Sequence, residues 1–280
     1  MSVIGAGVMG RGIAHVAAAS GFQTTLIDVS VSILSDALTA IKSNLKKGVE
    51  KGKTTEDAMI AALSCLELDD QLERGVRSAD LIIEAVPERV DLKIETLARA
   101  HAAAGPHAIL ATNTSSLSVT EIAAGSGRAD RVAGMHFFNP VHIMKLVEVI
   151  RGLETSAETM SAIVAAAREM QKDVIEVRES PGFVTTRMNA LIGNEAFRML
   201  EEGVASAEDI DRALKLGLNH PMGPFELVDL VGLDTRLSIL EYLHRTLGDR
   251  FRPSPLMVQY VKAGRLGRKA GRGVYDYAKK

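Results

Sequence analysis

His136 and Glu148 are the residues of this sequence whose types and spacing best suit proton transfer. Histidine changes charge near neutral pH, as a general base for a hydroxyl group must. The apolar segments 132–138 and 145–150 predict two strands, and the turn at Asn139-Pro140 could lay them side by side. A glutamate paired with one ring nitrogen would then fix the tautomer and stabilise the charged ring. From the spacing alone, a structural histidine is an equally good interpretation.

A second candidate site is the glycine-rich segment that follows the predicted strand Ser2–Ile4. In the spacing of a dinucleotide-binding turn, the first glycine permits the turn, the second leaves room for a pyrophosphate, and the third lets helix and strand pack closely. The helix that this segment opens would also offer free N–H groups and partial positive charge to phosphates. We predict a cofactor site formed by Gly5, Ala6, Gly7, Val8, Met9 and Gly10.

Asp28 follows the second predicted strand, Thr24–Ile27, and extends this prediction to the nucleoside. Its carboxylate could accept hydrogen bonds from the adenosine ribose hydroxyls and would repel a 2′-phosphate. Because Asp28-Val29-Ser30 contains no arginine to neutralise such a phosphate, the pattern favours NAD over NADP. The alternative interpretation is a glycine turn beside a surface aspartate.

The polar segment Asn113-Thr114-Ser115-Ser116 follows a predicted strand at 109–111. In parallel sheets, ligands gather at the carboxyl edge, where this segment would lie. Its side chains could therefore hold a substrate oxygen and the nicotinamide. The alternative interpretation is a helix cap for the next segment.

The elements that would position these residues alternate between strands and helices. Strands are predicted at 2–4, 24–27, 81–85 and 109–111, with helices at 9–20, 30–51 and 56–66. This alternation is typical of an α/β fold, here a Rossmann-type domain with a mostly parallel sheet. After a strand at 174–177, Glu179-Ser180-Pro181-Gly182 breaks the pattern, and the remainder is mostly helical. We therefore predict an NAD-binding domain at 1–179 and a smaller, all-helical C-terminal domain at 180–280.

Composition restricts the classes of partner. The 33 basic and 35 acidic residues give a formal net charge of -2, which argues against nucleic acid or an anionic membrane as partners. No apolar run approaches the roughly 20 residues that span a bilayer, and we expect a cytoplasmic protein. The single cysteine, Cys65, excludes an intramolecular disulfide and a cysteine-based zinc cluster, and we expect a free thiol in the core. We predict no metal site.

Several motifs resemble those of the L-3-hydroxyacyl-CoA dehydrogenase family, and in particular of its bacterial 3-hydroxybutyryl-CoA dehydrogenases, both in type and in their order along the chain. The resemblance covers nearly the whole chain. Its motifs are Gly5–Gly10, Asn113-Thr114-Ser115-Ser116, His136-Phe137-Phe138-Asn139-Pro140, Pro181-Gly182-Phe183 and Pro221-Met222-Gly223-Pro224-Phe225. The set is more specific than any one of its members.

This resemblance implies roles for five residues near the reacting groups. The catalytic histidine of the family and its glutamate partner fall on His136 and Glu148. The serine that binds the substrate hydroxyl falls on Ser115, which would also lie near the cofactor. Asn113 and Asn139 match positions near the site, Asn113 beside the cofactor and Asn139 beside both cofactor and substrate.

The resemblance also implies contacts farther from the reacting carbon. Glu88 and Lys93 would lie near the nicotinamide half of the cofactor, and Lys51 would meet the CoA phosphates. The sequence departs from the family at Thr186, where the pattern has asparagine, so the polar substrate contact expected there changes. Asn189, three residues later on the same helix face, could replace it and hold the substrate oxygen.

The activity that the resemblance implies is reversible oxidation of an L-3-hydroxyacyl-CoA, of the short-chain 3-hydroxybutyryl-CoA type, to the 3-ketoacyl-CoA with NAD. It also points to a homodimer formed through the helical domain. Two alternatives stay open: an NAD-dependent dehydrogenase of a small free hydroxy acid or sugar acid, and a non-catalytic NAD-binding protein.

Overall fold

The computed structural model describes residues 1–277, in two units: Met1–Ser180, and a second unit that begins at Pro181. Each unit has its own apolar core. Within the described residues, no helix combines the length and the apolar character needed to cross a bilayer.

An eight-stranded sheet forms the centre of the first unit. Its strands are β1 (Ser2–Ile4), β2 (Thr24–Ile27), β3 (Leu66–Asp69), β4 (Leu81–Glu84), β5 (Ile109–Thr112), β6 (Val132–Phe137), β7 (Leu146–Arg151) and β8 (Asp173–Arg178). They lie in the order β3-β2-β1-β4-β5-β6-β7-β8, and every neighbouring pair is parallel except β6 and β7. The predicted α/β fold with a mostly parallel sheet is confirmed.

Helices connect these strands. They are α1 (Val8–Ala19), α2 (Val31–Glu50), α3 (Glu56–Ser64), α4 (Leu72–Gly75), α5 (Val90–Ala103), α6 (Val119–Gly125) and α7 (Ala157–Glu169). Successive strand residues enter different apolar clusters: Val3 and Ile83 belong to one, Ile4 and Ile82 to the other. Since neighbouring strand residues point to opposite faces, the sheet is buried on both sides. Strand order reverses at β1, which is where α/β sheets bind ligands.

Two local expectations differ from the structure. The helix predicted to reach Leu66 ends at Ser64, and Leu66 opens the edge strand β3. The four residues of β3 include two acids and give little strand signal, so backbone pairing with β2 decides their conformation. Cys65, expected in the core, is only half-buried, because it caps the exposed C-terminal end of α3.

The second unit is helical, as predicted. Its helices are α8 (Thr185–Glu201), α9 (Ala207–Gly217), α10 (Pro224–Val231), α11 (Leu233–Leu247) and α12 (Pro255–Lys262). Phe197, Phe225 and Phe251 are buried in its core. Ser206 caps the start of α9, since its hydroxyl accepts a hydrogen bond from the backbone N–H of Asp209 at 3.1 Å.

Candidate active site

The antiparallel pair β6 and β7 holds His136 and Glu148 directly opposite each other. His136 Nδ1 lies 2.7 Å from Glu148 Oε2, with the glutamate fully buried and the histidine 7% exposed. A carboxylate at this distance accepts a hydrogen bond from Nδ1–H, which keeps the proton on Nδ1 and so fixes the tautomer. Nε2 is then the ring nitrogen that could exchange a proton with a bound molecule. The buried carboxylate also stabilises the imidazolium that forms when Nε2 takes up a proton.

Asn113 connects the neighbouring strand β5 to this pair. Its buried side-chain oxygen accepts a hydrogen bond from the backbone N–H of Phe137 at 2.9 Å, one residue beyond the histidine. The ring of Phe138 packs against His136, with 4.4 Å between centroids. Asn139 is exposed just after β6. Asn113 and the aromatic ring therefore restrict the end of the strand that carries the imidazole.

The glycine-rich loop between β1 and α1 has the shape required by a dinucleotide. Gly5 has a φ of +98°, in the left-handed region, and a Cβ at Gly10 would overlap the carbonyl oxygen of Gly5. A Cβ at Gly7 would instead meet no protein atom within 4 Å. Gly7 is also the N-cap of α1, and this open space therefore lies over the free N–H groups of the helix. The loop residues thus fit a pyrophosphate.

Asp28 supports this loop as well as facing the cleft. Its Oδ2 accepts the backbone N–H of Ala6 at 2.9 Å, and its Oδ1 accepts that of Ser30 at 3.0 Å. Its half-buried carboxylate lines a cleft of about 780 Å³. Side chains from the adjoining elements complete the cleft, among them the apolar Val29, Ile33, Val86 and Leu92 and the charged Asp70, Glu73 and Arg99. A 2′-phosphate would meet the carboxylates of Asp28, Asp70 and Glu73 here, while the Arg99 guanidinium is already paired with Glu73 at 2.8 Å.

Glu88 and Lys93 come together with Ser115 at the carboxyl ends of β4 and β5. Glu88 Oε1 accepts hydrogen bonds from the backbone N–H of Ser115 at 2.9 Å, from its hydroxyl at 3.3 Å, and from Thr114 Oγ1 at 2.6 Å. Lys93 Nζ lies 3.3 Å from Glu88 Oε2 and is 1% exposed. The structure therefore connects three residues that the family resemblance implies to lie near the cofactor.

Sequence reasoning missed Glu84, which is fully buried at the end of β4. Its carboxylate accepts hydrogen bonds from Lys93 Nζ at 2.8 Å and from Thr112 Oγ1 at 2.7 Å. Burial raises the pKa of this carboxyl, while the Lys93 ammonium opposes that rise. The available signal was an acid that ends an otherwise apolar strand, Leu-Ile-Ile-Glu.

The remaining predicted residues lie elsewhere. Lys51 is exposed at the C-cap of α2. Thr186 is buried and Asn189 half-buried, both on α8 of the second unit, three positions apart and therefore on one helix face.

Comparison with known proteins identifies the family. Residues 1–180 match the family model described as 3-hydroxyacyl-CoA dehydrogenase, NAD binding domain, and residues 182–277 match the model for the C-terminal domain of the same enzymes. The chain belongs to the 3-hydroxyacyl-CoA dehydrogenase family. The predicted family and the NAD cofactor are confirmed, and the protein is an NAD-dependent oxidoreductase of this family.

Individual members of the 3-hydroxyacyl-CoA dehydrogenase family are similar to this chain over at least 90% of their own length. A probable 3-hydroxybutyryl-CoA dehydrogenase of Bacillus subtilis is 49% identical over 279 residues, which cover 99% of this chain and 97% of the relative. The mitochondrial hydroxyacyl-coenzyme A dehydrogenase of Mus musculus is 43% identical and covers 99% of this chain, with 90% of its own length matched. The crystal structure of (S)-3-hydroxybutyryl-CoA dehydrogenase from Ralstonia eutropha superposes with a TM-score of 0.96 at 44% identity, covering 99% and 98% of the two chains.

Proposed function

We propose that this protein interconverts short-chain L-3-hydroxyacyl-CoA, of the 3-hydroxybutyryl-CoA type, and the corresponding 3-ketoacyl-CoA. The observation that carries the proposal is the buried contact of 2.7 Å between His136 Nδ1 and Glu148 Oε2. Such a pair is what removal of a hydroxyl proton requires, and the relatives are named for this substrate class.

Each protein group has a defined part in this reaction. When bound, NAD supplies the exchange of a hydride with C3 of the acyl chain. In oxidation, His136 Nε2 accepts the proton of the C3 hydroxyl, and Glu148 stabilises the charged ring. In reduction the proton returns from Nε2 to the C3 oxygen. Ser115 holds that oxygen through its hydroxyl, and Asn189 is the second group we assign to it.

We assign the cofactor to the residues of the first unit. The loop Gly5–Gly10 and α1 would hold the pyrophosphate, and Asp28 the adenosine ribose. The nicotinamide half would lie against Asn113, Ser115 and Asn139, and near Glu88 and Lys93.

The substrate assignments extend beyond the reacting carbon. Lys51 would contact the CoA phosphates, while Asn139 and Thr186 would contact the acyl portion. The domain limits 1–179 and 180–280, a homodimer formed through the helical domain, and a cytoplasmic location belong to the same proposal.

A steady-state assay of purified protein tests the function. Acetoacetyl-CoA, longer 3-ketoacyl-CoAs and free acetoacetate would be compared with NADH and with NADPH, by loss of absorbance at the nicotinamide band. We expect acetoacetyl-CoA with NADH to give the highest kcat/KM. Equal kcat/KM with free acetoacetate would favour a dehydrogenase of free acids, and NADH binding without turnover of any acyl-CoA would favour a non-catalytic protein.

A further inference from the structure

The fully buried carboxylate of Glu84 accepts three hydrogen bonds. Its Oε1 accepts the backbone N–H of Val86 at 2.7 Å and the Lys93 ammonium at 2.8 Å, and its Oε2 accepts the hydroxyl of Thr112 at 2.7 Å. Three converging donors are the arrangement expected around an ionised carboxylate. Thr112 stands directly opposite on β5, so the contact joins the ends of two neighbouring strands.

Lys93 connects this buried carboxylate to Glu88. Its ammonium donates hydrogen bonds to Glu84 Oε1 and, at 3.2 Å, to the Val86 carbonyl. It also lies 3.3 Å from Glu88 Oε2. The closer carboxylate is fully buried, whereas the Glu88 side chain is 39% exposed. In the low dielectric of the interior, the ammonium is therefore neutralised mainly by Glu84.

The charges of this network do not cancel. Two carboxylates and one ammonium leave about one negative charge. Because Glu84 neutralises the charge of Lys93, the excess negative charge lies on Glu88, the exposed carboxylate of the network. Glu88 can then accept the three hydrogen bonds from Thr114 and Ser115 through its other oxygen.

We propose that Glu84 is a positioning residue: by sharing Lys93 with Glu88 it keeps a net negative charge on Glu88, which favours the oxidised, cationic nicotinamide over the neutral, reduced one. The inference rests on the proposed function, which places Glu88 beside the nicotinamide. Glu84 itself is fully buried, so we assign it no contact with substrate or cofactor. It acts through the charge of Lys93.

The direct test is the variant Glu84→Gln. Glutamine keeps the shape and an acceptor oxygen but no charge, so Lys93 would neutralise Glu88 instead. We expect the ratio of Kd for NAD⁺ to Kd for NADH to rise about three- to tenfold, the effect of one partly screened unit charge. Titration calorimetry and fluorescence at fixed ionic strength, without acyl-CoA, would measure both constants. An unchanged ratio in a folded variant, checked by circular dichroism, overturns the proposal.

Thr112→Val is the matched control. It removes a neutral hydrogen bond to the same carboxylate, 2.7 Å long, and changes no charge. We expect it to lower the melting temperature and to leave the ratio of the two dissociation constants as in the wild type. A rise equal to that of Glu84→Gln would show a structural effect and overturn the charge assignment.

A double variant keeps the test decisive if Glu84→Gln does not fold. Glu84→Met with Lys93→Met replaces the buried ion pair by apolar side chains, a change that proteins often tolerate, and leaves the charge of Glu88 in place. Both dissociation constants should rise, because Lys93 is assigned near the nicotinamide, but we expect their ratio to stay within about twofold of wild type, whereas Glu88→Gln should raise that ratio. A rise in the double variant as large as that in Glu88→Gln overturns the proposal. Because these measurements need no acyl-CoA, their outcome is independent of the turnover assay that tests the proposed function.

Discussion

The side-chain oxygen of Asn113 accepts a hydrogen bond from the backbone N–H of Phe137 at 2.9 Å. Both residues are buried, and Phe137 directly follows His136. The contact therefore joins the polar segment after β5 to the strand that carries the proposed base.

Replacing this acceptor should affect stability and turnover together. Asn113→Ala leaves a buried N–H without its partner, which should cost about 1–3 kcal/mol in the free energy of unfolding. Because the end of β6 is then less restricted, we expect kcat to fall about tenfold. Asn113→Asp keeps an acceptor oxygen and should lose less of both. Urea unfolding and steady-state kinetics measure the two effects, and equal losses in the two variants would contradict the role of the acceptor.

The proposed base should be separable from cofactor binding. His136→Gln removes the group that exchanges a proton, so kcat should fall about 10²- to 10⁴-fold. The dissociation constant for NADH should stay near the wild-type value, since the glycine-rich loop is untouched. Glu148→Gln keeps a polar neighbour but loses its charge, and a smaller loss of kcat is expected. Full turnover in His136→Gln would reject the assignment.

Much of the first unit could be predicted because its signals are local. Short apolar strands, the glycine spacing and the turn at Asn139-Pro140 each occupy a few neighbouring residues. The pairing of His136 with Glu148 could be expected from one hairpin, since β6 and β7 are adjacent antiparallel strands joined by residues 138–145.

The Glu84 network could not be predicted in the same way. Glu84, Lys93 and Thr112 come from β4, α5 and β5, and they meet only because the parallel order of the sheet brings β4 beside β5. Polar residues at strand ends carry no pattern that specifies a partner 28 residues away. The edge strand β3 was missed for a related reason, because its conformation depends on pairing with β2.

Alanine at two glycines of the cofactor loop should affect two different properties, NADH affinity at Gly7 and stability at Gly10. A Cβ at Gly7 meets no protein atom within 4 Å, so Gly7→Ala should fold normally but bind NADH at least about tenfold more weakly, because the methyl group enters the pyrophosphate space. A Cβ at Gly10 overlaps the Gly5 carbonyl oxygen, so Gly10→Ala should lose about 2 kcal/mol or more of stability. Calorimetric titration and thermal unfolding separate the two effects. Unaltered NADH affinity in Gly7→Ala would move the pyrophosphate away from this loop.

His15 should make the protein sensitive to acid. It is buried on α1, stacked on His142 with 5.3 Å between ring centroids. Burial, then the nearby His142 and Lys172, lower the pKa of His15 from 6.5 to about 4. Since the folded pKa lies below the unfolded one, the unfolded chain binds more protons between pH 6.5 and 4. The stability contributed by neutral His15 is thus fully present above pH 6.5 and is lost as the pH falls toward 4.

His15→Phe tests this acid sensitivity, because phenylalanine keeps a stacked ring and cannot be protonated. The free energy of unfolding of the wild type should fall by up to about 3 kcal/mol more than that of the variant between neutral pH and pH 4. Urea unfolding at a series of pH values gives both curves, and titrating carboxylates contribute equally to each. His142→Phe is the matched control: His142 is exposed, so its replacement should remove less of the slope. Parallel curves for wild type and His15→Phe would mean that His15 is protonated as readily in the folded protein as in the unfolded chain.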